Sequence, residues 1–151
     1  MQEKEVIRPD LSGRPFKAAY ERTMAAPSDV LFKAWTTDDF SKWFAWPGTV
    51  LMTPEVNIPY FFETRFDGQR HPHYGRFLDL QSPRLIEMVW ITAMGTKGVE
   101  TIVTVELTPD GSGSHLRLSH VGFLDEAAAT GHEEAWPQAI ELLDAAFRET
   151  P

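Results

Sequence analysis

The amino-acid sequence predicts one α+β domain in which a run of antiparallel strands carries a long C-terminal helix on one face. Three observations lead there. Segments that alternate apolar and polar residues follow one another through the middle of the chain, separated by short Gly, Asp, Pro and Ser turns of hairpin length. Helical spacing is confined to a stretch after the first strand and to the C-terminal segment. The 151 residues suffice for one domain with a substantial core and no cysteine to cross-link it.

Residues 1–15 mix both charge signs with Pro9, Gly13 and Pro15, which predicts a loosely ordered N-terminal arm before a single domain over 16–151. Phe16, Ala18 and Tyr20 alternate with Lys17, Ala19 and Glu21, a strand running to about Met24. Ala25-Ala26-Pro27 ends it. Ser28 and Asp29 then offer a cap to a helix with Val30, Leu31, Ala34 and Trp35 on one face. A second short helix from Asp38 or Asp39 carries Phe40, Trp43 and Phe44 and stops at Trp46-Pro47-Gly48.

The strands follow. Val56, Ile58, Tyr60, Phe62, Thr64 and Phe66 share one parity, while Asn57, Glu63 and Arg65 share the other and are expected to face solvent. Asp67-Gly68 turns the chain into a strand from about His71 to Leu80. Leu85–Thr92 is apolar on both parities, so pattern does not orient it. Val103, Val105 and Leu107 alternate with Thr104 and Glu106, and Pro109–Gly113 returns the chain into Ser114–Phe123, giving six to seven strands in all.

At the C-terminus Asp125 caps a short turn, Gly131 interrupts it, and Pro137 fits a first helical turn or a kink. Trp136, Ile140, Leu143 and Phe147 then mark the inner face of one helix, with Gln138, Glu141, Asp144 and Arg148 facing away.

Charge and composition exclude several classes of function. The net charge is −8, and the span 125–151 holds seven acids against one base, Arg148, so most of the excess sits in the C-terminal segment. A chain without a basic patch is not expected to bind nucleic acid. No stretch approaches the length of a membrane span, the N-terminus lacks the apolar core of a signal peptide, and a cytoplasmic location is the expectation. Thiol nucleophiles and cysteine-ligated metals are excluded outright. Nucleophile elbows, phosphate loops, dinucleotide fingerprints and zinc-protease motifs are all missing, so no catalytic residue and no cofactor is predicted.

His71 and His73 lie two apart, a spacing that places both rings on one strand face, but Pro72 between them and the lack of a nearby third ligand argue against a metal. Glu63 and Glu87 are similarly weak as a carboxylate pair. The stronger signal is aromatic: ten Phe, five Trp and three Tyr make 12% of the chain, and such side chains fill cores or line pockets. Trp43, Trp46, Phe62 and Trp90, with the helix face Trp136, Ile140, Leu143 and Phe147, are the candidate wall residues. His120 continues the inward parity of Leu116 and Leu118 and is the candidate polar anchor, while His73 is a candidate at the border.

Four stretches together resemble a known family. FKAAYERTMAAPSDVLFKAWTTDDFSKWF (16–44), GRFLDLQSPRLIEMVW (75–90), LRLSHVGF (116–123) and GHEEAWPQAIELL (131–143) are similar, in that order, to the SRPBCC superfamily of helix-grip proteins, which includes START and Bet v allergen domains. The nearest branch is the activator of Hsp-90 ATPase homologues. Asn57-Ile58-Pro59-Tyr60 departs from the acid, Arg and Gly pair that many relatives carry there. The resemblance implies a curved antiparallel sheet wrapped around the C-terminal helix, two short helices after the first strand, and an apolar cavity between sheet and helix. It implies a protein that binds a hydrophobic or aromatic small molecule in that cavity. Turnover by a cyclase, dehydratase or hydrolase-like site in the same cavity is one alternative, and a chaperone-regulating module is another. It leaves a homodimer or a protein partner open.

Overall fold

In the computed structural model residues 5–148 are described; residues 1–4 of the predicted arm and Glu149 of the acidic segment lie outside them. Six strands form one sheet: β1 (Phe16–Met24), β2 (Pro59–Phe66), β3 (Gln69–Gln81), β4 (Leu85–Thr92), β5 (Thr101–Asp110) and β6 (Gly113–Phe123). Helix α1 (Ser28–Thr36), a 3-10 turn (Asp38–Lys42) and helix α2 (Glu126–Phe147) complete the chain. The strand order is β1-β6-β5-β4-β3-β2, antiparallel throughout. This is an α+β helix-grip architecture, a curved open sheet closed on one side by the long C-terminal helix.

Hairpin turns set the order of all strands but β1, which reaches β6 from across the sheet. Asp67 and Gly68 both adopt positive φ (52° and 71°), the backbone of a two-residue turn whose twist matches the strands it joins. Register then aligns the inward residues. Tyr20, Leu118, Val105, Ile86 and Leu80 form one rung across β1, β6, β5, β4 and β3. Against this face α2 lays Trp136, Ala139, Ile140 and Leu143, and α1 lays Leu31, Ala34 and Trp35. Trp35, Phe40, Phe62, Phe77 and Trp90 are all fully buried between them.

The undecided strand β4 resolves because both sheet faces are covered. Ile86, Met88 and Trp90 face α2, whereas Val89 joins Leu78 and Ile102 on the opposite face, under Leu11 of the N-terminal segment. That segment is fixed to the outer face by Arg14, which donates to the carbonyls of Gly122 (2.8 Å) and Glu100 (2.7 Å), and by an Arg8–Glu87 ion pair.

Four local expectations are corrected. Helix α1 has Pro27 at its N-cap with no side-chain cap, because the Ser28 hydroxyl is taken up with Ser114 (3.1 Å). Helix α2 runs unbroken from Glu126 through Gly131 and Pro137, capped by Asp125, whose carboxylate accepts from Ala128 N at 2.9 Å. Burial of one continuous face offsets the local cost of the glycine and proline. Asp144 is buried, not outward: it accepts from the backbone N–H of Ala25 (2.8 Å) and from Arg22 (3.1 Å), tying α2 to the end of β1. Glu63 is covered as well, because Arg70 (2.9 Å) and Arg65 (3.4 Å) close over its carboxylate and hold it below the usual range of a glutamate. Glu87 pairs instead with Arg8, so the two glutamates do not form a catalytic pair.

Candidate functional site

The space between the sheet and α2, implied to be a cavity, is mostly occupied by aromatic rings. Phe40 stacks on Trp43 (centroids 4.8 Å) and on Phe62 (4.6 Å), and Trp35 meets Trp43 edge-on at 4.9 Å. Such contacts add to the large apolar area each ring removes from water. What stays open is a recess of about 130 Å³ near the N-terminal half of α2, lined by Phe44, His73, Trp90, His132, Ala135, Trp136 and Ala139. Its size is close to that of a cavity that accepts benzene.

The recess lies beside a wider cleft of about 440 Å³ between the β2–β3 hairpin end, the loop after β4 and His132. His73 and His132 border both spaces. Phe66, at the end of β2, and Met94, in the loop after β4, are 70% and 74% exposed and stand on the cleft wall as an apolar rim.

Each wall has a structural cause. His73 sits on the inward parity of β3, where its ring stacks on Phe62 at 4.8 Å and 17° and meets Trp90 edge-on at 5.2 Å. Trp90 and Trp136 approach to 5.4 Å from sheet and helix. Trp136 donates its indole N–H to Nδ1 of His120 (3.1 Å), so that nitrogen carries no proton. Nε2–H of His120 therefore donates to Oγ1 of Thr101 (2.7 Å), whose hydroxyl in turn donates to the carbonyl of Trp90 (2.5 Å). The chain of bonds fixes Trp136 against Trp90 and holds His120 neutral, and burial pushes the His120 pKa well below the ordinary histidine value.

The ten residues singled out from the sequence divide in three ways. His73, Trp90 and Trp136 converge on the recess. His120 lies behind the wall with both ring nitrogens engaged, Phe62 backs His73, and Trp43 is a core residue that donates to the carbonyl of Ala34 (2.9 Å). Ile140 and Leu143 are core residues further along α2, Phe147 is half-buried at its end, and Trp46 lies outside, under the Arg65 guanidinium at 4.6 Å. Sequence reasoning missed His132, Ala135, Ala139 and Phe44. Helical spacing holds the signal for the first of these: His132, Trp136 and Leu143 recur on one face once α2 is continued back through Gly131.

The two histidines at the mouth are alike. Nδ1 of His73 lies 2.8 Å from the carbonyl of His71, and Nδ1 of His132 lies 2.9 Å from that of Ala128. A carbonyl only accepts, so each Nδ1 bears the proton and each Nε2 is left with a lone pair. Burial lowers both pKa values, that of His73 to about 4, so both rings are neutral at pH 7. Among the described residues no group of three or more His, Asp or Glu side chains is placed to hold a metal, and no helix is long and apolar enough to cross a membrane.

Comparison with known proteins places this geometry in a family. No curated protein sequence matches the chain. Among solved structures, protein CV1439 from Chromobacterium violaceum superposes with a TM-score of 0.78 at 23% identity over 90% of this chain and 100% of its own. Protein MLL2253 from Mesorhizobium loti gives 0.73 at 23% over 89% and 98%. The Aha1 dimer from Colwellia psychrerythraea gives 0.67 at 18% over 87% and 96%. At these identities the likeness concerns the fold. The family model described as Activator of Hsp90 ATPase homolog 1-like protein matches residues 25–148, from the end of β1 to the end of α2, and the chain belongs to that family.

Proposed function

We propose that the protein binds a small molecule by taking a flat apolar ring of it into the recess under α2, with the rest of the molecule lying in the cleft outside. The observation that carries this reading is the convergence of Phe44, His73, Trp90 and Trp136, from four separate stretches of the chain, on an unfilled space beside an open mouth. In a core otherwise packed with rings, such a space forfeits contact energy unless a guest fills it. Apolar walls with a few polar atoms at the entrance are the usual composition of a small-molecule site.

Native mass spectrometry of the freshly purified protein and a thermal-shift screen with ring compounds test the proposal. The expected result is a bound small molecule or a raised Tm, together with quenched fluorescence of Trp90 and Trp136. Ala139→Leu, which extends a side chain into the recess, is expected to abolish the response while leaving the fold intact. Ring compounds that neither raise the Tm nor perturb amide resonances around Trp90 and Trp136 refute it.

A further inference from the structure

Resting on that reading, we infer that the site selects neutral ring compounds that carry a hydrogen-bond donor, an N–H or O–H group received by Nε2 of His73 or His132. The geometry assigns both atoms as acceptors, since each ring spends its one proton on a backbone carbonyl, His73 on that of His71 and His132 on that of Ala128. Neither Nε2 has a protein donor among the described residues, in contrast to His120, whose two nitrogens are both used inside the wall. Both rings border the recess and the cleft, so a guest ring seated in the recess brings its substituent to them.

Gly95 gives an independent reason to regard His132 Nε2 as an open contact point. Its φ is not in the left-handed region, so the backbone does not require glycine there. A Cβ at this position, however, would stand 3.1 Å from His132 Nε2, 3.0 Å from Cε1 and 2.8 Å from Thr92 Oγ1. Any side chain at residue 95 crowds the atom that glycine leaves accessible.

The charges around the mouth point the same way. Arg70, the one cation among the described residues lining the cleft, is held by Glu63 (2.9 Å), and Lys97, two residues beyond Gly95 and outside the cleft, is held by Asp125 (2.6 Å), so an incoming carboxylate meets two lone pairs and no uncommitted cation among the described lining residues. Burial keeps both imidazoles neutral at pH 7, which preserves their acceptor character. A donor-bearing neutral guest is the complement of that surface, and an anion is not.

Phenol and toluene are matched in shape and differ in the donor, and benzoate supplies the anion. Amide-resonance titrations at pH 7 give the affinity of each. A purely apolar recess prefers toluene, because phenol sheds hydration on entry without recompense. The inference expects the reverse order, with phenol about fivefold or more tighter, and no measurable binding of benzoate. Gly95→Ala and His132→Phe are each expected to remove the preference for phenol while toluene still binds, with the amide spectrum of each variant confirming the fold. Toluene binding as tightly as phenol, or a preference that survives both substitutions, overturns the inference and leaves the ring-binding proposal standing. Failure of both phenol and toluene to bind removes the proposal and the inference together.

Discussion

Replacing Thr101 by Val keeps the shape of a fully buried side chain and deletes one hydroxyl from the chain Trp136–His120–Thr101–Trp90. Two groups lose a partner: His120 Nε2–H, its acceptor at 2.7 Å, and the Trp90 carbonyl, its donor at 2.5 Å. A buried polar group left unpaired costs about 1–3 kcal/mol, and a carbonyl with a second lone pair lies at the low end of that range. The expected loss is therefore about 2–4 kcal/mol, which for a domain of this size lowers Tm by roughly 5–15 °C. Urea unfolding of Thr101→Val, His120→Phe and the double variant measures it. The two changes act on one network, so the double variant should lose at least about 1 kcal/mol less than the sum of the singles. Long-range nitrogen correlations should show His120 with its proton on Nε2. A Thr101→Val protein within about 0.5 kcal/mol of the parent, or strict additivity, refutes the assigned proton order and the role of His120 as a brace.

Acid should destabilise the fold earlier than carboxylates alone would dictate. Because the His73 pKa falls to about 4 in the folded chain, the unfolded chain takes up the proton first. The contribution is full above about pH 6.5 and is lost as pH falls from there toward 4, amounting to about 3 kcal/mol over that window. His120 and His132 are shifted in the same direction and add to it. Unfolding free energies that stay flat between pH 7 and 5 refute this, and His73→Phe should flatten the slope. Gly75→Ala should cost about 3 kcal/mol, since a Cβ there lies 2.0 Å from the Val89 carbonyl oxygen, which also receives the Tyr60 hydroxyl at 2.6 Å; a normal Tm contradicts that packing. Asp144→Ala should cost about 1–3 kcal/mol by orphaning the Ala25 N–H, and Asp144→Asn should recover most of it; equal losses in the two variants place the effect in the Arg22 ion pair instead.

Much of the fold was legible because strand and helix periods differ and turns carry their own chemistry. Phe16–Met24 was readable as a strand from alternation, and Asp67-Gly68 announced the hairpin whose end forms one side of the cleft. Failures occurred where a long-range partner overrides a local rule. Glu63 has the parity of a solvent-facing residue, yet Arg70 from the paired strand and Arg65 close over it. Asp144 falls on the nominal outer face of α2, yet Arg22 and the Ala25 N–H at the end of β1 draw it in. Gly131 and Pro137 read as breaks, and so His132 was lost from the inner face of a helix that in fact passes through both. The apolar outer parity of β4 is explained by Leu11, which covers Val89 from a segment far away in the chain.

The sequence by itself determined the class of the fold, the order of its elements, the inward faces of most strands and a resemblance to the family that residues 25–148 match. These are local or pairwise properties, written in the spacing of side chains along one segment. Only the tertiary structure decided that the aromatic residues mostly fill the space under α2 and leave a recess near its N-terminal half. It also decided that His120 lies behind the recess with both ring nitrogens bonded, while His73 and His132 border it with each Nδ1 bound to a backbone carbonyl. The reason is physical: composition states how much ring surface must leave water, but the volume left over depends on where rings from distant segments meet. That follows from sheet curvature and helix placement, which no single segment specifies.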